Sequence, residues 1–124
     1  MHINLEATDQ HEIQAYSANE IQINSIIYAG SLIVSREEIT KDLLIKNIRD
    51  IDEDYLNLLL KSKPELIIIG HEQTGVFPPI EMISALSQQR IGIECMSIGA
   101  ACRTFNVLLS EHRNVVAGFI FKPA

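Results

Sequence analysis

Tryptophan is absent from this chain, aromatic residues are 6% of its 124 positions, and cysteine occurs only twice, at Cys95 and Cys102. The start, Met1-His2-Ile3-Asn4-Leu5-Glu6, lacks the basic and apolar segments of a secretory signal, so the two cysteines read as reduced thiols of a cytoplasmic protein. Basic residues are also scarce. Ten Lys and Arg stand against sixteen Asp and Glu, a formal net charge of -6. The ten are scattered, which argues against nucleic acid as a partner, because phosphate binding needs clustered cations. No apolar run approaches the roughly 20 residues of a bilayer span, so no membrane-crossing helix is expected. The four histidines, His2, His11, His71 and His112, share no i,i+4 spacing and have no cysteine pair nearby, and a metal site is not expected. What remains is ordinary globular composition, 47% hydrophobic and 21% charged, in a chain long enough to bury a core as one domain over residues 1–124.

The first third reads as β structure. His2-Ile3-Asn4-Leu5-Glu6-Ala7 alternates polar and apolar residues, and Glu12 to Tyr16 repeats the pattern weakly. Glu20–Ile23 and Ile26–Tyr28 flank Asn24-Ser25, a tight hairpin turn, since Asn tolerates positive φ. Ser31–Val34 continues the second arm past Gly30, which marks a bulge. Arg36 to Lys41 is a charged connection, and Leu43-Leu44-Ile45 is either a short strand or an extended lead-in. Asp50 and Asp52 are equally good caps for a helix carrying Tyr55, Leu56, Leu59 and Leu60 on one stripe. It ends near Ser62, because Lys63 precedes Pro64.

The organising stretch is Leu66 to Pro79. Four apolar residues, Leu66 to Ile69, form a strand buried on both faces. A loop bracketed by Gly70 and Gly75 leads to Pro78-Pro79 and a helix from Ile80, with Ile80, Ile83 and Leu86 inward beside Met82 and Ala85. Gly92 ends it, Ile93–Met96 is the next strand, Gly99-Ala100-Ala101 turns into a helix with Phe105, Leu108 and Leu109 inward, and Val115–Phe121 is a last strand. The segment is β-α-β-α-β, whose strands are parallel. The expected class is therefore α/β.

Ligands of open α/β sheets sit beyond the carboxyl ends of the strands. The Gly70–Gly75 loop, with His71, Glu72 and Thr74, is one candidate there. Its spacing matches neither the phosphate-loop nor the dinucleotide pattern, Glu72 repels anions and the prolines remove donors, so a shaped turn is the competing structural reading. The Cys102, Arg103 and Asn106 segment is the other candidate. Arg103 in a first helical turn opposes the helix dipole, and needs either a bound anion or an acidic partner such as Glu72 or Glu94. Cys102 beside it is either an activated thiol or, as free cysteines commonly are, small apolar packing. No base and nucleophile stand at a fixed spacing, so no catalytic residue is assigned and no cofactor is expected.

The run Ala100-Ala101-Cys102-Arg103-Thr104-Phe105-Asn106-Val107-Leu108, with Glu111 and Arg113, resembles a small family of uncharacterised domains. The family includes a mitochondrial assembly factor for respiratory complex I (assembly factor 3) and a cytosolic adipogenesis-associated protein, besides bacterial and archaeal members. Leu66–Gly70, Gly92–Met96 and, less specifically, Tyr16 to Ser35 share the resemblance, so it covers nearly the whole chain. It implies a three-layer sandwich with a mixed sheet, helices on both sides and N-terminal antiparallel hairpin strands. It implies no established catalysis, and points to a binding or assembly-assisting module with a protein partner. His71-Glu72-Gln73-Thr74 stands where the family has Gly-Thr-Gly, and Ser97-Ile98 where it has Asp-Thr. His112 replaces a family glycine, so a non-glycine residue is expected at positive φ. Self-association is left open. The alternative is a small anionic-metabolite binder or enzyme using a crevice near Gly70 and Arg103.

Overall fold

The structure, a computed structural model, describes residues 11–73 and 75–122. The strand expected over His2–Ala7, and Thr74, lie outside the described residues.

Among the described residues, β1 (Ile13–Tyr16), β2 (Glu20–Ile23) and β3 (Ile26–Ala29) form a separate antiparallel sheet, in that order. Asn24 and Ser25 take φ of 49° and 73°, the twist a two-residue hairpin turn requires. Gly30, at φ 82°, does not mark a bulge in one continuing arm. It is the corner where the chain leaves this sheet, because β4 (Ser31–Ser35) joins another.

That second sheet has five strands in the order β5-β4-β8-β6-β7. β5 (Ile39–Leu43) folds back antiparallel on β4 and takes up part of the expected charged connection. Lys41 and Asp42 suit its edge position, where charge discourages further pairing. β6 (Leu66–Gly70), β7 (Gly92–Met96) and β8 (Val115–Phe119) are parallel, with Ile69 opposite both Cys95 and Gly118. The parallel arrangement expected for this half is found.

Among the described residues there are also three α-helices and one 3-10 turn. The turn is Ile48–Asp50, so Asp50 is consumed there, and Asp52 caps α1 (Glu53–Leu60) by accepting from the Tyr55 N–H at 2.9 Å. In α2 (Ile80–Gln88) the buried residues are Met82 and Leu86, while Ile80 is 72% exposed. Of the three residues expected inward, Leu86 is, whereas Ile80 and Ile83 lie outside and Met82 completes the inner face in their place. α3 (Ile98–Ser110) begins at Ile98, ahead of the expected glycine-alanine turn, with Ser97 as its cap. His112, past its end, has φ 62° as expected.

The chain goes from β6 outward to β7, then back past β6 to β8. With both crossovers of the usual right hand, that reversal puts α2 and α3 on opposite faces. The cores agree: Ala101, Phe105 and Leu109 of α3 pack with Ile68, Ala117 and Phe119, whereas Tyr55, Leu59, Met82 and Leu86 pack with Ile67, Ile69 and Val116. Ile13, Ile21 and Ile23 bring the three-stranded sheet into the α3 core.

Candidate functional site

Beyond the carboxyl ends of β6, β7 and β8 lies a cleft of about 560 Å³. Glu72 after β6, Ile98 after β7 and Lys122 after β8 line it, and the β1–β2 turn closes it with Tyr16, Ser17, Ala18 and Asn19. Its place is where a sheet of this topology holds ligands. Its residues are mostly not those the sequence singled out.

Gly70 serves packing. A Cβ there would lie 2.8 Å from the Ala101 Cβ and 3.0 Å from the Phe119 ring, so its absence is what lets α3 settle on the sheet. His71 is buried, donates its N–H to the Met96 carbonyl at 3.0 Å and accepts from the Gln73 N–H on Nδ1 at 3.1 Å. Burial lowers its pKa, with the Glu72 charge pulling weakly the other way. Glu72 accepts from the Ile98 N–H at 3.0 Å, and Ser97 Oγ accepts from the Ala100 N–H at 3.3 Å. The chain's own carboxylate thus occupies the end of α3 that an anion would seek. Gln73 ties the loop to the 3-10 turn by accepting from the Ile48 N–H at 2.9 Å, and Gly75 turns at φ 77°.

On α3, the small residues do admit a close approach, but by this chain: the Tyr16 ring lies against Gly99, where a Cβ would overlap it. Cys102 is buried, and burial pushes its thiol up to about 12 against the weaker opposite pull of Arg103. Cys95 is pushed up to about 11, and both thiols are free, as expected. A protonated, buried thiol is a poor nucleophile. Arg103 falls in the second turn of α3, not the first, because the helix starts at Ile98. It is exposed, and among the described residues it has no ion pair. The dipole argument for an acidic partner therefore lapses. Asn106 accepts from the Ile13 N–H at 3.0 Å and donates to the Ile13 carbonyl at 2.7 Å, clamping β1 onto α3.

Of the expected site residues, Glu72 reaches the cleft. Tyr16, Asn19 and Lys122 were not singled out, since each is far from the Gly70 loop in sequence. The one usable signal was the Gly99-Ala100-Ala101 run, which marks a close approach without naming what approaches.

The family described as "Protein of unknown function (DUF498/DUF598)" matches residues 13–120. The chain is 35% identical over 71 residues to the "13 kDa major membrane protein" of Francisella tularensis subsp. holarctica, across 57% of this chain and 58% of that one. It is 31% identical over 80 residues to the "NADH dehydrogenase (ubiquinone) 1 alpha subcomplex assembly factor 3" of Drosophila melanogaster, across 61% and 41%. The matched part is thus less than two thirds of either relative's length. The crystal structure of an outer membrane protein from Bartonella henselae is 31% identical, covers 92% of this chain and 97% of that one, and superposes with a TM-score of 0.76. Among the described residues, no helix is long and apolar enough to cross a membrane.

Proposed function

Because this chain belongs to the DUF498/DUF598 family of proteins of unknown function, and one relative is named an assembly factor, we propose that it is a non-enzymatic module that binds a protein partner and assists its assembly. The observation that carries this reading is an apolar strip. Phe77 is 69%, Ile80 72% and Ile83 37% exposed, in succession through the start of α2. Glu81 and Ala85 face α1 across a groove that also holds Asp52 and Leu56. At about 3.6 residues per turn, Ile80 and Ile83 then lie on the flank away from α1. That flank is on the side of β7, whose outer edge has no strand beside it among the described residues. An apolar ledge next to an open strand edge suits an extended segment of a partner, with main-chain bonds supplying affinity and the ledge supplying selectivity.

The alternative, an anion held near Gly70 and Arg103, finds less support: Glu72 fills the helix end and Arg103 points into solvent from the second turn. A nucleophile reading of Cys102 is disfavoured by its raised pKa and by the engaged Nδ1 of His71. The cytoplasmic location expected from the sequence belongs to the same proposal.

The test is a quantitative comparison of captured proteins from native lysate, using the parent, Phe77→Ser/Ile80→Ser and Arg103→Ala. Both surface variants should unfold as the parent does, since surface changes away from packed features stay within about 0.5 kcal/mol. A specific partner should be retained by Arg103→Ala and lost by the double variant. Equal capture by the parent and the double variant would overturn the assignment to this ledge.

A further inference from the structure

The three-stranded sheet ends on an edge without charge. From Asn24 to Ser31 the sequence is Asn-Ser-Ile-Ile-Tyr-Ala-Gly-Ser, whereas sheet edges are commonly blunted by charges, prolines or bulges. Among the described residues β3 pairs with β2 alone. Ile26 and Ile27 are 56% and 60% exposed.

The ladder decides which backbone groups face outward. Ile23 stands opposite Ile26, Gln22 opposite Ile27, Ile21 opposite Tyr28 and Glu20 opposite Ala29. The Gly30 N–H donates to the Asn19 carbonyl at 3.0 Å, so that pair is a bonded one. Bonded and non-bonded pairs alternate in an antiparallel ladder. Tyr28 and Ile26 therefore turn their N–H and C=O groups inward to β2, and Ile27 and Ala29 turn theirs out.

We propose that this edge is where the protein associates with a second copy of itself, β3 against β3, antiparallel about a two-fold axis at Tyr28. The outward groups are two residues apart and symmetric about Tyr28, so Ile27 of each copy meets Ala29 of the other and every outward N–H faces a carbonyl. Tyr28 meets Tyr28 on the face that also carries Ile21, an aromatic pairing of the kind that stabilises sheets. A two-fold contact of this sort closes on itself and does not grow into fibres. Charge permits it despite the net -6. Across the ladder from β3 the acidic side chain is Glu20, opposite Ala29 on β2, and three strand spacings, about 14 Å, separate the two copies' β2 strands. That exceeds the screening length of about 8 Å in physiological salt. The strip is short, so the association is weak and depends on concentration.

Sedimentation of the parent from micromolar to millimolar concentration should show a reversible monomer–dimer equilibrium. Hydrogen exchange over the same range should slow at the Ile27 and Ala29 amides while the Tyr28 amide, already bonded to β2, keeps its rate. Ile27→Lys puts a charge on the edge, and should be monomeric at every concentration with an unchanged unfolding midpoint. A parent that stays monomeric at millimolar concentration overturns the proposal, as does undiminished dimerisation of a folded Ile27→Lys. Protection of Ile27 and Ala29 that is equal at all concentrations would place a segment of the same chain on the edge and likewise reject the dimer. If Ile27→Lys does not fold, the concentration dependence of exchange in the parent decides.

Discussion

His71 shows how a residue that looks catalytic becomes structural once its bonds are counted. Its Nδ1 accepts from the Gln73 N–H, and an acceptor nitrogen must be unprotonated. Burial lowers its pKa in the folded protein, so the unfolded chain binds the proton more readily. Stability then falls as pH drops through the unfolded value of about 6.5. The loss levels off below the depressed folded value, where both states carry the proton. Glu65 does not blur this window. Its carboxyl is held below the usual 4.5 by hydrogen bonding to Arg113 and to the Asn114 N–H, so its contribution is lost only at lower pH. His71→Asn keeps an acceptor near Nδ1 and cannot titrate. Denaturant midpoints between pH 7 and 5 should slope for the parent and flatten for the variant. Parallel slopes would show that His71 does not carry the effect.

At the scale of elements, the contact between β6 and α3 depends on one missing methyl. Gly70 ends the strand under Ala101, and a Cβ would be 2.8 Å from that alanine's own and 3.0 Å from the Phe119 ring. Gly70→Ala must push α3 outward or displace the ring, and overpacking of this kind costs about 1–3 kcal/mol. Chemical denaturation should register that loss with a largely unchanged slope. A variant as stable as the parent would mean that α3 can rise off the sheet freely. The displaced helix would carry Ile98 away from Glu72, so the same substitution also loosens the cleft. The start of α3 is thus set jointly by a glycine on one strand and a carboxylate on the next loop.

For the molecule as a whole, the weak seam runs between the two sheets. The five-stranded sheet holds core on both faces, but the three-stranded sheet meets the rest mainly at α3. Asn106 fixes it there with both halves of its amide on the Ile13 backbone. Asn106→Ala removes both bonds and leaves partly buried backbone groups unpaired, a loss of about 1–3 kcal/mol. The cost should be local: amides of β1 and β2 should exchange faster while those of β6 and β8 keep their protection, as expected of a separate opening unit. Uniform acceleration across both sheets would indicate a single cooperative unit. Because the β1–β2 turn lines the cleft, that opening would also unmake one wall of the candidate site.

The parallel half could be read from the chain because its signals are local and strong. Leu66–Ile69 and Val115–Phe119 are apolar on both faces, punctuation comes from Gly92 and Pro78-Pro79, and the crossover rule leaves one hand. The hairpin at Asn24-Ser25 was legible for the same reason, and so was the positive φ of His112 once the family resemblance put a glycine there. What stayed hidden was decided by contacts between distant segments. Only packing against the sheet set Met82 beside the expected Leu86 on the inner face and left the equally apolar Ile80 and Ile83 outside. Only the path of the chain past Gly30 turned an expected bulge into a corner between sheets. Glu72 and Arg103 carry obvious charge, but whether a charge meets a ligand, a helix end or water depends on what lies beside it in space. A hydrophobic pattern repeats within a few residues and is written in the sequence. A hydrogen bond between Asn106 and Ile13 spans 93 positions, and no local pattern records it.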